Sequence, residues 1–433
     1  MRSSRRLYKK SIFILAVRSV SVPVRFLLNW LGAFLYGAVV MGAFSITRFF
    51  LDILVVVAGL GGDKVMIRFL AHSSIDKNKF RKMFSALFVL YAFTAFLFAT
   101  FVFFSSGIIA SIYQKMWLVP FLKLTAITLP FLVLLIFVNQ AFKAINKPLI
   151  ATIIETTAYN ALVLFFITIF AFYIKGHYKI FGFHIGFWFG TLSVFVIALW
   201  ILHKNLNYRF LSIKDGINYW LGKSGKDNIQ KFLRVALPIF IISVSYLYLM
   251  NIDRIFLPKF VDGTNLGVYY IAGRVAGLLQ IIGIGLLAIT PAIIVKKLKR
   301  RGQKSAINFI FRMSLLAFIL SLFALGVLIL VVPFLLSLFG QVYGSALSYI
   351  NYMLIGTLIF NIGIIAGQGV VLLDKQNLLM KNLLLGVVVA TISGWFLTSH
   401  FGIIGGVWLF ILAQAIISIS NWLALLSGHG AIG

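Results

Sequence analysis

Runs of about twenty apolar residues recur along the whole chain, and they decide what it can fold into. Runs of this length bury themselves in lipid, and lipid offers no partner for backbone N–H and C=O groups. Each run is therefore read as a helix, because barrel strands would be about ten residues long with alternating polarity. The spans are placed at 11–31, 34–60, 83–104, 117–139, 149–172, 181–202, 231–257, 265–290, 306–331, 346–372, 378–398 and 402–426. The basic start, Met1 to Lys10, imitates a secretory leader, but no small-residue cleavage site closes the run behind it. It is read as a retained first helix. The expected fold is an all-α polytopic membrane protein of twelve transmembrane helices.

Composition matters here mainly through charge. Lys and Arg number 39 against 9 Asp and Glu, a formal net charge of +30. A nucleic-acid binder would share that sign, but not a chain that is 61% hydrophobic. With the N-terminus in the cytoplasm, 27 basic residues fall in loops and span ends on that side. Only Lys115, Lys175, Lys179 and Lys259 fall on the other. The positive-inside rule then places both termini inside, as in a multi-pass protein of the inner (cytoplasmic) membrane. Cysteine is absent, which excludes disulfides and thiol chemistry. No histidine pair has metal-ligand spacing, and no Walker A motif is present. No cofactor is expected, and the chain does not read as an enzyme.

A weak internal repeat divides the spans into two sets of six. Gly37 and Gly267 are 230 positions apart, and Lys147 and Lys375 are 228 apart, in similar local contexts. An even number of spans per repeat gives both halves the same orientation, with a pseudo-twofold along the membrane normal and a cavity expected between them. The domains are then a six-helix lobe at 1–202, a basic cytoplasmic linker at 203–230 and a second six-helix lobe at 231–433.

Five stretches, in order, resemble a known family. They are LGAFLYGAVVMGAF (31–44), AGLGGDKVMIRFLA (58–71), LPIFIISVSYLYLMNIDRIFL (237–257), NLGVYYIAGRV (265–275) and FGIIGGVWLFILAQ (401–414). Together they are similar to Wzx-type polysaccharide and O-antigen flippases of the multidrug/oligosaccharidyl-lipid/polysaccharide exporter superfamily. The resemblance implies two lobes of six helices each, as in MATE-like transporters. It also implies movement of a polyprenyl-pyrophosphate-linked oligosaccharide from the cytoplasmic to the outer leaflet, alongside other polysaccharide-assembly proteins. Family members often carry acidic residues in the cavity. Few candidates exist here, so the resemblance leaves ion coupling open.

Eight basic residues remain inside the spans: Arg18, Arg25, Arg48, Lys123, Arg234, Arg254, Arg274 and Arg312. Arg234 and Arg312 lie near span ends, where snorkelling accounts for them. Arg254 follows Asp253, which suggests an ion pair or cap. Arg18 and Arg25 flank the middle of the first span, where an arginine costs roughly 2.5–3.5 kcal/mol on insertion scales. Ser11, Arg18, Arg25 and Asn29 fall within about 40° on a helical wheel, forming one polar stripe. Only Asp52, Glu155 and Asp253 oppose these charges within the spans. A substrate pyrophosphate would supply the missing anion, because the guanidinium fork pairs phosphate bidentately. Arg18, Arg25, Arg48 and Arg274 are the candidate pyrophosphate ligands. Water and backbone carbonyls in a structural crevice are the rival explanation.

Weaker candidates complete the set. Asn29, Lys123, Thr357, Asn361 and Gln368 are candidate sugar or cavity contacts, with interhelical hydrogen bonding as the equal alternative for the last three. Tyr159 and Asn160 in the fifth span, and Ser243, Ser245, Tyr246, Tyr248 and Asn251 in the seventh, are less specific. Glu155, the sole glutamate, and Asp52 are candidates for ion or proton coupling; pairing of Glu155 with an arginine is its other reading. A drug or cation exporter of the same superfamily is disfavoured by the cationic spans. A membrane polymerase or ligase is disfavoured by outer loops, 105–116 and 332–345, that hold no acid or histidine.

Overall fold

The computed structural model describes residues 2–61, 66, 69–70, 76–206, 211–222, 225–287 and 289–427. It divides into two compact units, Met1–Val244 and Ser245–Gly433. Among the described residues every regular element is helical. The first unit holds α1 (Arg2–Ala58), α2 (Lys77–Ile112), α3 (Val119–Ala144), α4 (Pro148–Tyr173), α5 (Gly182–Leu206) and the short α6 (Ile213–Leu221). Then come α7 (Gly225–Met250), which runs across the division, α8 (Ile252–Phe260) and α9 (Gly263–Leu287). The last are α10 (Thr290–Phe339), α11 (Leu347–Leu372) and α12 (Gln376–Leu426).

Three of these helices are broken by glycines at positive φ: Gly37 (81°) in α1, Gly302 (74°) in α10 and Gly402 (53°) in α12. Only glycine enters this region without a Cβ penalty, so each marks a turn rather than a bend. The break in α1 gives two spans, and so does the break in α12. The break in α10 separates 290–301 from the span 303–339. Six spans then fall in each half, twelve in all among the described residues.

The helix starts follow local chemistry. Asp76 caps α2, its carboxylate accepting from the Asn78 and Lys79 N–H groups at 2.8 and 3.3 Å. Asp262 caps α9 in the same way, through Thr264 and Asn265 at 2.9 and 3.0 Å.

In the first unit α3 is the central post. Leu122, Leu129, Phe137, Val138 and Phe142 are all fully buried, and α2, α5 and α1 pack around them. Helix α2 lies at the margin, with Phe93, Phe101 and Phe104 more than half exposed, as suits a lipid-facing surface. In the second unit α11 is central, with Leu354, Ile365, Ala366 and Val370 fully buried, and the long arm of α10 lies at the margin, exposing Phe323 and Leu330. Thus the fourth and tenth spans are posts and the third and ninth are peripheral.

The repeat is sharpest at one turn. Asn146 (φ 60°) and Asp374 (φ 56°) close α3 and α11 in the left-handed conformation. The next residues, Lys147 and Lys375, donate their backbone N–H groups to the Phe142 and Val370 carbonyls at 2.9 and 3.1 Å. Each lysine side chain then reaches the end of its unit's last span. Lys147 bonds the Asn205 side chain, and Lys375 bonds the Leu425 and Ser427 carbonyls, both at 2.7 Å. The expected match of Gly37 with Gly267 does not hold. Gly37 makes a turn, whereas Gly267 is buried within helical α9 and the corresponding break falls at Val261–Asp262.

The polar 203–230 stretch also contains more than a linker. Helix α6 is tied to α2 by Arg81–Asp215 (3.1 Å) and by the Trp220 indole N–H on the Ala86 carbonyl (2.6 Å).

Candidate functional site

In the first unit, Arg48 sits on the second arm of α1, one turn before Asp52. Their Nε–Oδ1 distance is 2.9 Å, and each side chain is about a quarter exposed. The guanidinium carbon lies 5.7 Å from the Phe187 ring centre on α5. The Tyr159 hydroxyl, on α4, reaches both Arg48 and Thr191 Oγ1, the latter at 3.4 Å. Arg48 is therefore held by an anion, an aromatic face and a phenol at once, while part of its surface stays open.

Arg25 is exposed on the first arm of α1. Asn29 is buried and donates its amide N–H back to the Arg25 carbonyl at 2.7 Å, which turns it onto its own helix. The Arg18 side chain lies outside the described residues. Lys123 is exposed, with Nζ 5.2 Å from the centre of the Phe103 ring. Arg234 and Arg312 are exposed near the ends of their spans.

In the second unit, α7 ends at a non-helical Asn251 (φ −131°) before α8 begins. The Asn251 Oδ1 accepts from Arg254 Nη1 at 2.9 Å. Arg254 and Arg274 both lie against the Tyr270 ring, at 5.7 and 4.6 Å from its centre. The expected pairing of Arg254 with Asp253 is replaced by other partners. Asp253 is buried and accepts from the Tyr269 hydroxyl at 2.8 Å, an oxygen that also lies 3.1 Å from the Gly406 carbonyl. Arg48 and Arg274 are 226 positions apart, close to the spacing of the lysine turns. Each stands on the second span of its set of six.

Thr357 and Asn361 are fully buried on α11. Thr357 bonds the Met353 carbonyl, and Asn361 donates to the Leu279 carbonyl and Ser321 Oγ at 2.8 and 2.9 Å. Asn361 thus pins α11 to α9 and α10, while Thr357 bonds back to its own helix. Gln368 is half-buried.

Glu155 lies on a widened π turn of α4, 153–158. Its carboxylate pairs with Lys143 Nζ at 3.1 Å, so its basic partner is a lysine and not an arginine. Beside it opens a pocket of about 170 Å³, walled by Val55, Val56, Val133 and Ile136 and reached by Asn139, Gln140 and Glu155. Asn139 Oδ1 and Gln140 Oε1 are buried without a hydrogen bond among the described residues. Leaving such an acceptor unsatisfied costs roughly 1–3 kcal/mol. The sequence signal was present: two adjacent amides inside an apolar span, with a lysine on the same helical face three and four residues later.

No metal-binding group of three or more His, Cys, Asp or Glu side chains occurs among the described residues. The geometry is that of long apolar helices, each long enough to cross a membrane, with charged side chains along them.

A family profile described as polysaccharide biosynthesis protein matches residues 7–295. The chain belongs to this family. No curated protein matched its sequence. Among solved structures it is similar to an inward-facing multidrug-resistance MATE family transporter of the MOP superfamily (TM-score 0.69, 16% identity, 95% of this chain and 96% of that one). It is also similar to a mutant of the MATE transporter VcmN of Vibrio cholerae (0.66, 14%, 98% and 97%). An outward-facing MATE transporter matches at 0.60, with 15% identity and 95% and 94% coverage. These likenesses establish the fold. Family and fold together make the protein a multi-pass membrane member of the polysaccharide biosynthesis protein family, with a fold similar to that of those transporters.

Proposed function

We propose that this protein flips a polyprenyl-pyrophosphate-linked oligosaccharide to the outer leaflet by alternating access through a cationic cavity. Family membership supports the polysaccharide class. The observation that carries the pyrophosphate is the pair Arg48 and Arg274. They occupy equivalent places in the internal repeat, and each is pre-oriented against an aromatic ring. An arginine held in this way loses little freedom when it closes on phosphate, which is what fork-to-phosphate recognition requires. Arg18 and Arg25 extend the same ligand set along the first span, and the prenyl tail stays in the bilayer. The protein sits in the inner membrane with both termini in the cytoplasm, as its basic loops imply. Other polysaccharide-assembly proteins would supply and remove the glycan.

Two of the MATE neighbours named above are multidrug-resistance transporters, which favours a second reading: export of a cationic drug. The charge balance within the spans opposes it, because a cationic substrate needs uncompensated carboxylates. Asp52 and Glu155 are each already paired with a basic side chain. Reconstituted protein separates the two readings. Protection of a cationic dye from uptake without movement of a labelled pyrophosphate lipid refutes the flippase; the reverse pattern refutes the exporter.

A further inference from the structure

We propose that α6 of the first unit docks on an anionic lipid surface, with Ile213, Ile217 and Leu221 in the bilayer interface and the surrounding lysines on phosphate headgroups. One sector of this short helix is fixed to protein. Asp215 pairs with Arg81, and the Trp220 indole donates to the Ala86 carbonyl, both on α2. The Tyr219 carbonyl accepts from the Asn228 amide of α7 at 2.9 Å, and the Trp220 ring lies 5.6 Å from that of Phe232. Gly216 lets α6 touch α2, since a Cβ there would stand 2.5 Å from the Ser85 carbonyl oxygen. The rotation of α6 about its own axis is therefore set.

That rotation leaves two further sectors open. Ile213, Ile217 and Leu221 recur every four residues and cover about 80° of the helix. They are 60%, 43% and 82% exposed. Lys214 and Asn218 follow on the next part of the wheel and are exposed too. One face on protein, one apolar and one polar is the arrangement of a helix lying at a membrane surface. Its depth agrees. Helix α6 crosses α2 at Ser85 and Val89. One turn further along α2 stands Phe93, 65% exposed, where the apolar surface of that span begins.

Charge selects the occupant. Because α6 is tied near the starts of both α2 and α7, the lysines of all three gather on one side of the unit. Lys79, Lys82, Lys214, Lys226 and Lys231 are exposed there. Among the described residues of these three helix starts the acids are Asp76, Asp215 and Asp227. Asp76 caps α2 and Asp215 is spent on Arg81, which leaves Asp227 against five lysines. An apolar row ringed by lysines asks for an occupant that is apolar inside and anionic at its rim. A bilayer with anionic headgroups is both, and juxtamembrane lysines are drawn to it. The docking does not depend on the pyrophosphate reading, since neither Arg48 nor Arg274 takes part.

The test uses full-length protein in nanodiscs of phosphatidylcholine, with and without phosphatidylglycerol. The chain has no cysteine, so Ile217→Cys and Asn218→Cys each carry a single spin label. With phosphatidylglycerol present, the label at 217 should be open to lipid-dissolved oxygen and shielded from a water-soluble nickel chelate. The label at 218, one residue on, should show the reverse. Equal nickel access at both positions puts α6 in water and overturns the proposal; equal shielding of both from nickel and oxygen buries α6 in protein and overturns it as well. Amide exchange tests the charge. In unlabelled protein, exchange at 213–221 should slow in the anionic membrane by about fivefold for each lysine engaged. Lys82→Gln/Lys214→Gln, two exposed positions that need not disturb folding, should lose most of that slowing. Equal exchange in the two membranes, or slowing left whole in the double variant, refutes docking on anionic lipid.

Discussion

Asp52→Asn is the perturbation that most clearly separates a structural role for Arg48 from a ligand role. The change keeps volume and removes one charge from the 2.9 Å contact. Exposed pairs contribute about 0.2–1 kcal/mol, and breaking a fully buried pair costs about 3–5. With both side chains a quarter exposed, and with Phe187 and Tyr159 still holding the guanidinium, a loss of roughly 1–2 kcal/mol is expected. For a unit of this size that lowers the thermal midpoint by about 2–8 °C. Binding should move the opposite way. In wild type a pyrophosphate must draw Arg48 away from Asp52, whereas in the variant it need not. The same 1–2 kcal/mol then appears as about 5–30-fold tighter binding of a polyprenyl pyrophosphate, read by competition in nanodiscs. Arg48→Gln should weaken that binding instead. If Asp52→Asn and Arg48→Gln both lower stability and leave the affinity untouched, the pair is structural and the ligand role is refuted.

Other consequences follow from the packing. Lys375→Met removes two bonds from one ammonium to the Leu425 and Ser427 carbonyls and should cost roughly 1.5–3 kcal/mol, with faster amide exchange confined to the last turn of α12. Gly190→Val should prevent folding of the first unit, because even a Cβ at Gly190 would sit 2.6 Å from the Val163 Cα, and fluorescence-detected gel filtration would show aggregate instead of a monodisperse peak. Tyr269→Phe leaves buried Asp253 without its phenol donor and should cost about 1–3 kcal/mol in denaturation experiments. At Asp262, burial pushes the carboxyl up, but hydrogen bonds from Asn265 and Thr264 outweigh it and hold it below its ordinary value. A depressed folded value contributes stability above the unfolded pKa and loses it as pH falls through the folded one. Asp262→Ala should therefore cost about 1 kcal/mol at neutral pH and progressively less below about pH 4.

The spans were legible because lipid solvation imposes one length and one polarity on every crossing. The observed helices overrun most predicted ends by several residues, since helices continue past the hydrocarbon until a cap or glycine stops them. The Lys147 and Lys375 match was legible, and it marks a shared turn. Helix α6 was not, because a nine-residue amphipathic segment in a polar stretch carries too little periodicity. Which way a polar face points was also hidden. Thr357, Asn361 and Gln368 share a face of α11, yet the first two are buried against neighbouring helices and the third is not. Partner choice was hidden for the same reason. Asp253 beside Arg254 suggested a pair, but the broken backbone at Asn251 directs the arginine one way and Tyr269 meets the carboxylate from α9. Glu155 stood out by being alone of its kind, while the lysine that holds it came from another span.

The central claim is that Arg48 and Arg274 recognise the pyrophosphate of a lipid-linked glycan during its transfer. The most direct measurement is leaflet accessibility of a labelled polyprenyl-pyrophosphate oligosaccharide in proteoliposomes. Wild type, Arg274→Gln and the charge-balanced double variant Arg48→Gln/Asp52→Asn would be compared after each is shown to be folded. Wild type should transfer the lipid, and both variants should lose transfer while keeping their thermal midpoints near wild type. Transfer at the wild-type rate by either variant would contradict the account.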